Sequence, residues 1–139
     1  MAKRSKARRR ALEVLFEAEQ RGMAPDEVLA ARTQHSDLTA NEYVSHILAG
    51  VAEHREQIDE LLSTYARGWT LERMPRVDVM ALRIGVWELL HNSEIPDGVA
   101  VAEAVALVRQ LSTDESPQFV NGLLGRIQQL KPTLVDDEG

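Results

Sequence analysis

Residues 39–65 read TANEYVSHILAGVAEHREQIDELLSTY, and this stretch decides the fold class. Val44, Ile47, Leu48, Val51, Ile58, Leu61, Leu62 and Tyr65 recur at spacings of one, three and seven, which keeps one apolar face on a 3.6-residue turn. Thr39 and Glu42 supply a Thr-x-x-Glu capping box at its start. Gly50 weakens a helix without ending it, so the period predicts one long helix through to Tyr65.

Working outward, the same period continues in both directions and strand alternation is nearly absent. Towards the amino terminus, Ala7, Ala11, Val14, Leu15 and Ala18 form one helical face, and Gly22 is a natural stop. Pro25 suits the first turn of a short second helix carrying Val28, Leu29 and Arg32. Towards the carboxyl terminus, Gly68 and residues 69–75 break the pattern and mark a lobe boundary. Val77, Met80, Ala81, Ile84, Trp87 and Leu90 then stripe a fourth long helix. A turn at 93–98 leads to a fifth, with Val101, Ala104, Val105, Val108 and Leu111. Ser116 and Pro117 open the last helix, whose apolar face is Phe119, Val120, Leu123, Leu124 and Ile127. Pro132 is expected to end it, leaving an acidic tail of Asp136, Asp137 and Glu138. The expected architecture is all-α: one domain in two lobes, 1–67 and 68–139, each a small helical bundle.

Charge is the most informative part of the composition. The 139 residues carry a formal charge of −6. The first ten hold Lys3, Arg4, Lys6, Arg8, Arg9 and Arg10 and no acid. The remaining residues hold ten cations against 22 acids, a net −12. A basic arm on an acidic body points to a polyanion reached by one end of the chain. The arm is not a secretory signal, because Glu13, Glu17 and Glu19 interrupt what would be its apolar region. No uncharged stretch is long enough to span a bilayer, and the expected location is cytoplasmic, with no membrane partner.

Several chemistries lack their residues. There is no cysteine, hence no disulfide and no thiolate site. His35, His46, His54 and His91 include no i, i+4 pair for a helical metal site. No phosphate-binding loop or nucleophile elbow is present. No catalysis, metal or cofactor is expected. Trp69 and Trp87 are expected to anchor the core, and Gly122 and Gly125 to allow close helix packing. The arm is different. The apolar period enters it at Ala7, so Arg8, Arg9 and Arg10 ride on the first turns of a helix. Cations there oppose the macrodipole at about 0.3–1 kcal/mol each, a placement that suggests a task outside stability. Arginine forks pair with phosphates and stack on bases, and arginine-rich segments order on RNA.

At this point the residues resemble a known family. Lys3-Arg4-Ser5-Lys6-Ala7-Arg8-Arg9-Arg10-Ala11-Leu12-Glu13-Val14-Leu15-Phe16 is similar to the opening of the NusB family of bacterial transcription antitermination factors. So are Trp69-x-Leu71-x-Arg73-x-x-x-Val77-Asp78 with Leu82-Arg83-Ile84-Gly85, the run from Ile95-Pro96 to Val105, and Phe119-Val120-Asn121-Gly122-Leu123-Leu124. The resemblance implies a non-catalytic helical protein that binds boxA RNA. Its implied partner is the ribosomal small-subunit protein NusE, within the antitermination complex on RNA polymerase. Position by position, it implies RNA contacts at Lys3, Arg4, Lys6, Arg8, Arg9 and Arg10, and a second RNA-proximal surface at Glu115, Gln118 and Phe119. It places Asp78 at the NusE-facing surface; Asp78 also lies off the apolar stripe of its helix and is expected to be exposed. Asn121 and Gly122 are assigned to packing and capping. Ser5 and Glu13 stand where the family usually has arginine and glutamine, and Val79 and Ala102 replace a basic residue and an asparagine. The competing reading is a helical adaptor that binds proteins or forms a homodimer, with no specific RNA contact. A third, the helical domain of a ribosomal RNA methyltransferase, needs a cofactor-binding βαβ unit for which the chain has neither room nor motif.

Overall fold

The computed structural model describes residues 3–33 and 42–138. The capping box expected at Thr39, and His35, lie outside them. Among the described residues the chain forms seven α-helices and no strand: α1 (Lys3–Arg21), α2 (Pro25–Thr33), α3 (Glu42–Glu53), α4 (Arg55–Tyr65), α5 (Arg76–His91), α6 (Asp97–Leu111) and α7 (Ser116–Glu138), with one turn of 3₁₀-helix at Leu71–Arg73. The chain divides into two compact units, Met1–Glu53 and His54–Gly139.

In the first unit α1 packs on α2 and α3. Ala7, Ala11, Val14, Leu15 and Ala18 are buried, as their spacing requires. From α3, Tyr43, Val44, Ile47, Leu48 and Val51 complete this core. Gly22, at φ 65°, ends α1. The Met23 amide donates to the Ala18 carbonyl at 2.9 Å and the Gly22 amide to Glu19 at 3.3 Å, so two terminal carbonyls find donors. Pro25 occupies the first turn of α2, where its missing N–H costs no bond. Arg32 of α2 ties back to Glu17 of α1 at 2.8 Å.

In the second unit α5 is the central element, packed on α4, α6 and α7. Every residue from Asp78 to Leu89 is buried. The predicted stripe is therefore too narrow: Val79, Leu82 and Val86 are as buried as Met80 and Ile84. Helix α5 has partners around its whole circumference rather than on one face. At Gly85 an added Cβ would stand 2.9 Å from Leu124 Cδ1 and 3.3 Å from Ala104 Cβ, so the absent side chain lets α6 and α7 close on α5. Arg83 is buried and forks onto Asp59 of α4 at 2.9 and 3.0 Å.

Three sequence expectations need correction. The single helix predicted through Tyr65 breaks at His54, which adopts φ −108° and ψ 15°. Val51 and Ile58 are one heptad apart, so the apolar phase survives the break and conceals it. Helix α4 then falls in the second unit, not the first: Ile58, Leu61 and Leu62 are buried and α4 packs on α5 and α7. At the other end, α7 runs through Pro132 to Glu138. Pro132 is exposed, so water can take up the carbonyl that its missing N–H leaves unbonded. No described helix is long and apolar enough to cross a membrane.

Candidate nucleic-acid interface

The basic arm is not a tail. Helix α1 begins at Lys3, so all six cations lie on regular helix, and no acid occupies the first turn. Helical geometry then sorts them. Lys3, Lys6 and Arg9 recur every three residues and are exposed. Arg4 is exposed along its length but sets its guanidinium 5.4 Å from the Tyr43 ring centroid. Arg8, one turn on, is 2% exposed with its guanidinium 5.8 Å from the same ring. This is a correction. Arg8 is buried with its guanidinium over the Tyr43 ring, and is not presented to a ligand. Arg10 is half-buried, and Arg9 Nε lies 3.7 Å from Glu13 Oε2.

The second expected surface is the start of α7. Glu115 and Gln118 are exposed and Phe119 is half-buried. Asp78, the residue assigned to a partner, is 1% exposed, against the expectation of an exposed acid. The cause is the closure of α6 and α7 over α5. Ser116 Oγ donates to Asp78 Oδ2 at 2.9 Å, which ties the first residue of α7 to the first turn of α5. Thr113 Oγ1 lies 2.8 Å from Ser116 Oγ and Ser112 Oγ 3.1 Å from it. Ser116 has one proton, and the carboxylate is the strongest acceptor within reach, so Thr113 donates to Ser116 in turn. Asp78 Oδ1 is buried with no hydrogen-bond partner among the described residues. Asp78 thus orients the end of α7 from inside the fold and cannot itself touch a partner.

Two further placements depart from expectation. Asn121 is exposed in mid-helix, neither packed nor capping. A Cβ at Gly122 would meet only Arg126 Nη1, at 3.6 Å, and one at Gly125 would meet nothing within 4 Å, so neither glycine admits a neighbouring helix.

A family model described as the NusB family matches residues 5–129. The transcription antitermination protein NusB of Arthrobacter sp. (strain FB24) is 61% identical over 135 residues, covering 97% of this chain and 99% of its own. The chain belongs to the NusB family. The same fold appears in a solved structure of T. maritima NusB, with a TM-score of 0.84, 30% identity and 99% of each chain covered. A structure of the antitermination factors NusB and NusE in complex with dsRNA matches with a TM-score of 0.81 and 27% identity, covering 91% of this chain and 96% of the other. The role that goes with NusB membership is regulatory, in transcription antitermination.

Within this NusB fold the sequence reading misplaced one tryptophan. Trp69 is 47% exposed rather than a core anchor, and its ring lies 5.9 Å from that of Phe119 at 58°. The core position belongs to Trp87, which is 7% exposed. The available signal was local: Trp69 follows Gly68, whose φ is 77°, in a segment outside the long helices. Binding residues are disproportionately carried on loops positioned by a rigid scaffold.

Proposed function

We propose that this protein is a non-catalytic transcription antitermination factor of the cytoplasm that binds boxA-containing RNA through the exposed cations of α1. It does so as the partner of NusE, within the antitermination complex on RNA polymerase. The observation that carries the reading is the outward row of Lys3, Lys6 and Arg9 at the amino end of a helix whose first turn holds no acid. This arrangement opposes the macrodipole. Phosphate contact supplies the compensating interaction. A basic partner suits the body, whose net charge of −12 repels RNA by itself. NusE docked there would extend the cationic track and raise RNA affinity.

The test is a titration of labelled boxA-like RNA at several salt concentrations, with and without NusE. Arg8 set aside, five cations of the arm are exposed or half-buried. If each meets a phosphate of a single strand, log K falls against log salt with a slope of about 3.5. Neutralising Lys3, Lys6 and Arg9 together to Gln lowers that slope by about 2 with helix content retained. A salt-independent affinity, or parental affinity in the triple variant, overturns the reading.

A further inference from the structure

We infer that Tyr43 is a positioning residue for RNA binding: its ring holds the Arg4 guanidinium in the place from which it meets an RNA phosphate. The inference rests on the RNA-binding reading above and adds to it a buried residue on a helix other than the arm. Two arginines one turn apart on α1 share the ring, Arg4 at 5.4 Å from its centroid and Arg8 at 5.8 Å. Their exposures divide the work. Arg8 is 2% exposed and belongs to the packing of α1 on α3. Arg4 is exposed, so its ring contact is made at the surface, next to Lys3 in the chain.

Magnitudes decide what the Arg4 contact does. A surface cation–π contact and the cost of a cation at a helix amino terminus are of the same order, so the first offsets the second and leaves little net stability. What remains is order. Arginine is among the side chains that lose most rotamer freedom when fixed, and a contact already made in the free protein removes part of that loss from the binding step. The ring is a fixed point: Tyr43 is 8% exposed on α3, and the His46 ring stands edge-on to it at 6.5 Å and 86°. Arg4 therefore comes to the ring rather than the ring to Arg4. Cation–π attraction acts through charge and the ring face and engages no hydrogen-bond acceptor, so the N–H fork can grip a phosphate while the contact persists.

The experiment uses the full chain and a labelled single-stranded boxA-like oligonucleotide, read by anisotropy, beside denaturant melts. Tyr43→Leu keeps apolar bulk without the ring face and is expected to weaken binding about 2- to 12-fold, the range for ordering one long side chain on binding. Its salt slope stays parental, because every cation is still present. Tyr43→Phe keeps the face and binds within about twofold of the parent. Arg4→Gln separates positioning from packing: on that background Tyr43→Leu costs no further RNA affinity, yet still lowers stability through Arg8. A merely structural role would weaken RNA binding equally on both backgrounds, and that result overturns the inference. Parental affinity in Tyr43→Leu, with the Lys3, Lys6 and Arg9 triple variant still impaired, overturns this inference alone. Parental affinity in both overturns the function on which it rests as well. If Tyr43→Leu does not fold, proton NOEs in the parent decide. Contacts between the Arg4 side chain and the Tyr43 ring are expected in the free protein and retained with the oligonucleotide bound, and their loss on binding overturns the inference.

Discussion

In the first unit, Lys3, Lys6 and Arg9 stand out from α1 and make almost no demand on the core beneath them. In the second, Glu115, Gln118 and Phe119 stand where they do because a buried bond joins Ser116 to Asp78. One surface is positioned by its own helix, the other by a contact between residues 38 apart in the chain. These are two ways of presenting exposed side chains. A row of charges needs only helical pitch, and its strength varies with salt. A shaped corner needs tertiary packing, and its strength varies with the stability of that packing.

The largest expected effect strikes the second arrangement. Ser116→Ala removes the donor from a buried carboxylate whose other oxygen already lacks one. Stability should fall by about 3 kcal/mol. Asp78→Ala combined with Ser116→Ala should cost less than the two single changes added, because the stranded charge is gone. Denaturant melts of the four proteins check this, and the salt slope of RNA binding should stay parental in each. A Ser116→Ala protein as stable as its parent would break the comparison.

Next is Gly85→Val. The nearest atoms to an added Cβ belong to Leu124 and Ala104, both buried. Ala104 has no rotamer to yield, so overpacking should cost about 2 kcal/mol. The loss should appear in the melting temperature and leave the salt slope of RNA binding unaltered.

Within the arm, neighbouring arginines should behave oppositely. Arg8→Gln loses buried packing and a cation–π contact, at about 1–2 kcal/mol of stability. Arg9→Gln should change stability by no more than about 0.5 kcal/mol and lower the salt slope of RNA binding by about 0.7. If Arg8→Gln impairs RNA binding at unchanged stability, the burial of Arg8 does not describe the protein in solution.

The smallest effect is one of pH. Hydrogen bonds from Arg32, then Arg21, hold the Glu17 carboxyl below its ordinary value of 4.5. The folded pKa is depressed, so the stabilisation is present above the unfolded value and is lost as pH falls through the folded one. Glu17→Gln should flatten the stability profile of the first unit below pH 4.5 and leave it unchanged at neutrality. An unchanged acid limb would show that the α1–α2 tie contributes nothing.

The parts legible in the sequence are those decided locally. The stripe of α1, the stop at Gly22, the proline at the start of α2, the opening of α7 at Ser116 and the cation density of the arm all follow from spacing, backbone preference or composition. Each depends on residues within a turn or two. The break at His54 was hidden because Val51 and Ile58 keep phase across it. Arg8 was hidden because a run of arginines does not reveal which of them faces Tyr43.

What the sequence determined by itself is the helical class, the order of the helices and the concentration of positive charge at one end, since period and composition are properties of a single segment. Tertiary structure alone decided that α5 is enclosed, that Asp78 is buried beneath Ser116, and that Trp69 faces outward while Trp87 does not. The physical reason is that an apolar period records the phase of a helix and nothing about its surroundings. Whether a given side is covered depends on segments dozens of residues away, and their packing is what separates a core residue from an exposed residue of the same type.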